Sequence, residues 1–122
     1  MQVFTLGKVS VPTAGTAVSL ATALPANFPS DHKCYPIIVS PPKSNTGVAV
    51  FGTSGNNAES PTVVASTLVG AIKEFLPTGS TGIKDSFELE DDSGFGNNLH
   101  IDDYALDTAV NGEGLIFVIL VR

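Results

Sequence analysis

The sequence has one cysteine, Cys34, and no tryptophan among its 122 residues. A lone cysteine excludes an internal disulfide framework and a zinc site built from cysteines alone. With Tyr35 and Tyr104 as the two tyrosines, aromatic platforms for sugar rings are sparse, so a carbohydrate-active enzyme is not expected. Charge is scarce too: Asp, Glu, Lys and Arg make up 15% of the chain, against about 25% in an ordinary soluble domain. The six basic residues, Lys8, Lys33, Lys43, Lys73, Lys84 and Arg122, are scattered and face twelve acids. Nucleic-acid binding normally rests on a Lys/Arg excess that neutralises phosphates, and an anionic membrane surface makes the same demand. Neither partner is expected. No segment approaches the roughly 18 uninterrupted apolar residues of a transmembrane helix. The first 20 residues alternate instead of joining a basic end to an apolar block, so they do not read as a secretory signal. Synthesis and use in the cytoplasm, without a secretory route, are expected.

Recognisable catalytic motifs are missing as well. The sequence holds no Gly-Xaa-Ser-Xaa-Gly elbow, no Walker-type Gly-Lys-Ser/Thr loop and no His-Glu-Xaa-Xaa-His pair, which removes the serine-hydrolase, phosphate-loop and zincin readings. Asp31-His32-Lys33-Cys34 puts an imidazole and a thiol two residues apart, on one face if the segment is a strand. A metal site or a Cys-His nucleophile would need a further group from elsewhere, and His100 is the other histidine. Free cysteine usually behaves as a small hydrophobe, so a buried or half-buried Cys34 beside a solvent-facing His32 is the favoured reading. The run Glu88, Glu90, Asp91, Asp92, with Gly94 and Gly96, does not satisfy the EF-hand spacing from either Asp85 or Asp91. A different calcium site using Asn97, Asn98, Asp102 or Asp103 is the alternative to a solvated acidic loop. Asp102 and Asp103 would serve a glycosidase only with another acid across a cleft. The expectation is a non-enzymatic protein with no catalytic residues, no cofactor and no metal.

What is present suits a β-rich domain. Hydrophobic residues form 43% of the chain, enough for a core, and one domain spanning 1–122 fits the length. Alternation through Val9–Val11, a turn at Pro12-Thr13-Ala14-Gly15 and an apolar return at Ala17–Leu20 predict two strands joined by a turn. Phe4 and Leu6 occupy one parity of the first strand, while Val3, Val9 and Val11 occupy the other. Residues 22–33 hold two prolines and read as a loop. Tyr35–Val39 and Val48–Phe51, separated by Ser44-Asn45-Thr46-Gly47, predict neighbouring antiparallel strands, since Asn and Gly tolerate the positive φ of hairpin turns.

Along Pro61–Leu76, Val64, Leu68, Ile72 and Phe75 or Leu76 recur at helical spacing, and Ser60 before Pro61 offers a cap, predicting a short helix. The β-branched Thr62, Val63, Val64, Thr67 and Val69 count against it. Ile83–Leu89 reads as a strand, Asp91–Asn98 as a loop, and His100–Leu106 as a strand whose inward set switches at Asp102-Asp103. Leu115–Val121 is apolar throughout, which predicts burial on both faces. Short strands with turns at roughly 8 to 12 residue intervals indicate a mainly β fold, a small antiparallel β-sandwich or barrel with one short helix.

Gly7-Lys8-Val9-Ser10-Val11-Pro12, the apolar Ile37-Ile38-Val39, Asn45-Thr46-Gly47-Val48 leading into Val50-Phe51-Gly52, and Asn111-Gly112-Glu113-Gly114 before an apolar final strand together resemble small β-rich virion proteins of tailed bacteriophages, of the capsid decoration or cement type. The resemblance spans most of the chain as a pattern of turns and strands. It implies a structural protein made in the host cytoplasm, located on the capsid surface and bound to the major capsid protein. It also implies a homo-oligomer, for which a trimer matches threefold capsid positions. A tail, neck or fibre component is the alternative within the class, and a glycan- or calcium-binding β-sandwich module the alternative outside it. Met1–Phe4, Ala23–Lys33 and Asn56–Pro61 are the expected contact regions.

Charge divides along the chain. Residues 1–84 carry five lysines against Asp31, Glu59 and Glu74, whereas residues 85–122 carry Arg122 against nine acids. The nearly neutral first part is expected to dock and the acidic last part to face solvent or a basic neighbour.

Overall fold

The computed structural model describes residues 2–53, 62–64, 67–69, 71–77, 86–89 and 99–121. Two four-stranded antiparallel sheets stack as a sandwich. The first contains β1 (Gln2–Ser10), β12 (Gly114–Val121), β4 (Ile37–Ser40) and β9 (Phe87–Leu89), in that order. The second runs β2 (Val18–Ser19), β11 (Tyr104–Thr108), β5 (Ala49–Thr53) and β8 (Ala71–Phe75). A short ladder joins β3 (Lys33–Cys34) to β10 (Leu99–His100), and β6 (Thr62–Val64) pairs with β7 (Thr67–Val69).

Alternation dictates which residues meet between the sheets. Ile37 and Val39 on β4, with Leu115, Phe117 and Ile119 on β12, are wholly buried and share one face. Across the sandwich they meet Phe51 and Leu106, which are paired with each other in the second sheet. The Phe51 and Phe117 rings lie edge to face, 5.8 Å between centroids, an arrangement aromatic quadrupoles favour.

The outer faces differ. On the second sheet, Val50, Ala105 and Asp107 are buried although they lie off the inter-sheet core, and the backbone of β6 runs close to β11 and β5. On the first sheet, Ile38, Ile116, Val118 and Leu120 are half-buried and Val3 is 57% exposed. The apolar run of β12 is therefore fully buried on its inner side and partly covered on its outer one.

Strand β1 carries a bulge. Its register with β12 shifts between Thr5 and Gly7, leaving Leu6 as the extra residue, and Gly7 adopts φ +69, a conformation open to glycine at low cost. The bulge reverses parity, so Phe4 before it and Val9 after it both face the core. That accounts for the two apolar parities in the sequence.

Two expectations are corrected. Pro61–Leu76 does not contain the predicted short helix: its described residues form β6, β7 and β8, while Ser60 and Pro61 lie outside the described residues. Five β-branched side chains lose χ1 freedom in a helix and suit extended backbone, and β8 gains a full ladder against β5. The described helical elements are single 3-10 turns at Leu20–Ala23 and Ile101–Asp103.

The second correction concerns Tyr35–Val39 and Val48–Phe51, which are not neighbours. β4 lies between β12 and β9, and β5 lies between β11 and β8. The connection over 41–48 crosses between sheets and is no hairpin, so neither Asn45 nor Gly47 takes the positive φ expected there. The two strands of the N-terminal region also separate: β1 joins the first sheet and β2 the second.

Candidate functional site

Contacts join regions far apart in sequence around the start of β1. Phe4, facing inward, meets Phe28 of the 22–33 loop at 4.7 Å between ring centroids. Phe28 in turn lies edge-on to His32 at 6.3 Å. The described part of Met1–Phe4 and the Ala23–Lys33 segment, two of the expected contact regions, are thus joined through two buried rings. The third, Asn56–Pro61, lies outside the described residues.

Beyond Phe28 one carboxylate gathers both histidines. His32 Nδ1 is 2.9 Å from Asp102 Oδ1, and His100 Nδ1 is 3.6 Å from Asp102 Oδ2. The imidazole centroids are 6.4 Å apart. Pairing of Lys33 with His100 in the β3–β10 ladder and the 3-10 turn that carries Asp102 bring the three together. His32 holds the left-handed φ of 55, fixed by a bond from its N–H to the Pro29 carbonyl and one from the Ile101 N–H to its own carbonyl. All three side chains are between one third and one half exposed, so the contacts among them are solvent-screened. The sequence singled out His32, His100 and Asp102 separately. Their meeting was not legible, because it depends on a long-range ladder of two residues per strand.

Cys34 does not share a face with His32. It is wholly buried, and burial pushes its thiol up to about 12. A thiol held protonated in apolar surroundings is a poor nucleophile at neutral pH. The favoured reading of a buried Cys34 with a solvent-reaching His32 matches the geometry. Among the described residues no group of three or more His, Cys, Asp and Glu side chains is placed to hold a metal ion. Tyr35 is buried, and Tyr104 stacks on Phe51 at 5.6 Å, so neither ring lies open as a sugar platform. Of the acidic run, Glu88 lies on β9, while Glu90, Asp91, Asp92, Gly94, Gly96, Asn97 and Asn98 are outside the described residues.

A carboxylate that sequence reasoning left among the solvating charges has a structural task. Glu113 Oε2 accepts bonds from the Thr46 N–H at 2.7 Å and the Thr46 hydroxyl at 2.9 Å, and Oε1 accepts one from the Gly47 N–H at 3.0 Å. Burial works to raise its pKa, but these three donors and the charge of Lys8 outweigh it and hold the carboxyl below its ordinary range. Glu113 thereby clamps the 41–48 crossover to the turn between β11 and β12. The signal for this was the side-by-side occurrence of two Asn/Gly turns, each preceding a strand.

Comparison with protein-family models, with characterised proteins and with solved structures finds no match to this chain.

Proposed function

We propose that this chain is a structural protein that works by docking, not by catalysis. More specifically, we read it as a capsid decoration or cement protein of a tailed bacteriophage, which binds the major capsid protein on the outer shell and bridges neighbouring capsomers. The observation that supports docking is that Gln2–Phe4 and Ala23–Lys33, separated by residues 5–22, are held side by side through the buried Phe4–Phe28 contact, with Gln2 and Val3 exposed next to it. The virion assignment rests on the pattern of turns and strands that resembles such proteins. Many weak contacts repeated on a lattice add through multivalency, so each copy needs little affinity. Self-association is part of the proposal; three-fold stoichiometry comes from the resemblance alone.

The test is co-sedimentation of the purified protein with shells of the cognate capsid, followed by heating of the decorated shells. Binding with a raised rupture temperature is the expected result. No co-sedimentation and no stabilisation would overturn the reading, and density on the tail instead of the shell would move the protein to a tail, neck or fibre role.

A further inference from the structure

Four strands end the two sheets, and three carry the usual guards against pairing with another chain. β2 is two residues long. β9 is three residues long and holds Glu88. β8 shifts register against β5 and carries Lys73 and Glu74. Short length, charge and irregularity are the devices that blunt a sheet edge. β1 is different. It has nine residues, its partner among the described residues is β12 alone, and no charged side chain occurs before Lys8. Its bulge begins after Thr5, so Gln2–Thr5 is a regular, uncharged edge with Val3 57% exposed.

We infer that the Gln2–Thr5 edge of β1 pairs antiparallel with the same segment of a second copy of this chain, joining two first sheets into one across a two-fold axis. Between copies of this chain, this edge is where charge opposes contact least. At a net charge of -6, two copies repel through most of their surfaces, and the stretch Gln2–Gly7 brings no charge to the contact. Pairing a strand with itself antiparallel is also isologous and closed, which avoids an open fibre. Residues directly opposite in such a pair share a face. Val3 and Thr5 point outward with Val118 and Leu120, and Phe4 points inward. Faces therefore match when the axis passes through a residue, giving Val3 opposite Val3 or Val3 opposite Thr5. In both registers Lys8 lies beyond the paired stretch, and the half-buried apolar outer face continues across the junction. Four residues a side is small against the roughly 800 Å² per partner of a standard interface, so the dimer is reversible and concentration dependent. This inference does not rest on the virion reading; where it holds, the second copy occupies Gln2–Thr5 and Ala23–Lys33 is left to dock elsewhere, and isolated protein suffices to test it.

Light scattering over a concentration series is the first measurement. The expected result is a rise from 12.6 kDa toward twice that mass, abolished by Val3→Lys with Thr5→Lys while circular dichroism stays unchanged. A Val3→Cys, Thr5→Cys variant should cross-link between copies under mild oxidation in either register, and Ser10→Cys should not. A monomer at every concentration, a trimer, or a dimer indifferent to the two lysines and not trapped by the cysteines would each overturn the inference.

Discussion

Replacing Glu113 with alanine tests the idea that one carboxylate holds together the two crossovers at one end of the sandwich. The wild-type side chain accepts three bonds from Thr46 and Gly47. Hydrogen bonds to a charged group contribute about 1.5–3 kcal/mol each when well protected, but Glu113 is partly exposed and its bonds share one carboxylate. A total near 2.5 kcal/mol is the reasonable expectation for Glu113→Ala. At roughly 2.1 cal/mol/K per residue, unfolding 122 residues carries about 0.26 kcal/mol/K, so the loss corresponds to a Tm lower by about 10 °C.

Acid supplies an independent check. The Glu113 pKa is lowered on folding from its ordinary 4.5, so its contribution is fully present above that value and disappears as pH falls through the lower, folded-state value. Glu113→Gln keeps one acceptor and cannot titrate. Its deficit relative to wild type in urea unfolding should shrink between pH 6 and pH 3. A Glu113→Ala deficit below about 0.5 kcal/mol at neutral pH, on the scale of an ordinary surface change, or a gap to Glu113→Gln that widens in acid, would refute the clamp.

Other substitutions probe the packing. A Cβ on Gly114 would fall on the Val9 carbonyl oxygen, with the carbonyl carbon at 2.8 Å and Ser10 Cα at 3.0 Å; because these are backbone atoms, Gly114→Ala must part β1 from β12, and calorimetry should show a loss well above the roughly 1–3 kcal/mol of ordinary overpacking. Phe117→Ala removes a wholly buried ring from the inter-sheet core and should cost about 3–5 kcal/mol in denaturant unfolding. Native protein treated with iodoacetamide at pH 8 should leave Cys34 unmodified by mass spectrometry, while the urea-unfolded chain alkylates fully; rapid native labelling would contradict its burial and raised pKa.

Most of the fold was legible where alternation is local. The final strand, the break at Asp102-Asp103 and the mainly β class follow from parity and turn residues within a few positions, and each occurs where those signals point. Pairing was not legible. Tyr35–Val39 and Val48–Phe51 carry every mark of a hairpin, yet the chain places them in opposite sheets, because Glu113 and Asn45 tie the intervening loop to the β11–β12 turn, Asn45 Nδ2 donating to the Gly114 carbonyl at 2.9 Å. Those bonds span 66 to 69 residues, beyond any local signal. The false helix at Pro61–Leu76 has another cause. A 3.6-residue apolar spacing can arise when two short strands and a turn follow one another, and there β-branching was the better guide.

The division of charge along the chain takes on a different meaning in three dimensions. A neutral docking part and an acidic solvent-facing part would require the two parts to occupy separate regions. They do not, since β11 and β12, both from the acidic last third, sit inside the two sheets between strands from the first part. Two of the acids there are not solvating charges at all. Asp107 is wholly buried and accepts the Gly15 N–H at 3.1 Å and the Thr108 N–H at 2.8 Å, and Glu113 clamps the 41–48 crossover. Each fastens a loop from the first part to a strand from the last. Of the described acids in that third, Glu88, Asp102 and Asp103 remain exposed, near β9 and the β10–β11 junction. The uncharged edge of β1 is therefore not one end of a charge gradient. It is a local gap in charge on an otherwise acidic molecule, and such a gap, on the stretch of edge ahead of the bulge and Lys8, locates where contact with another chain costs least in electrostatic repulsion.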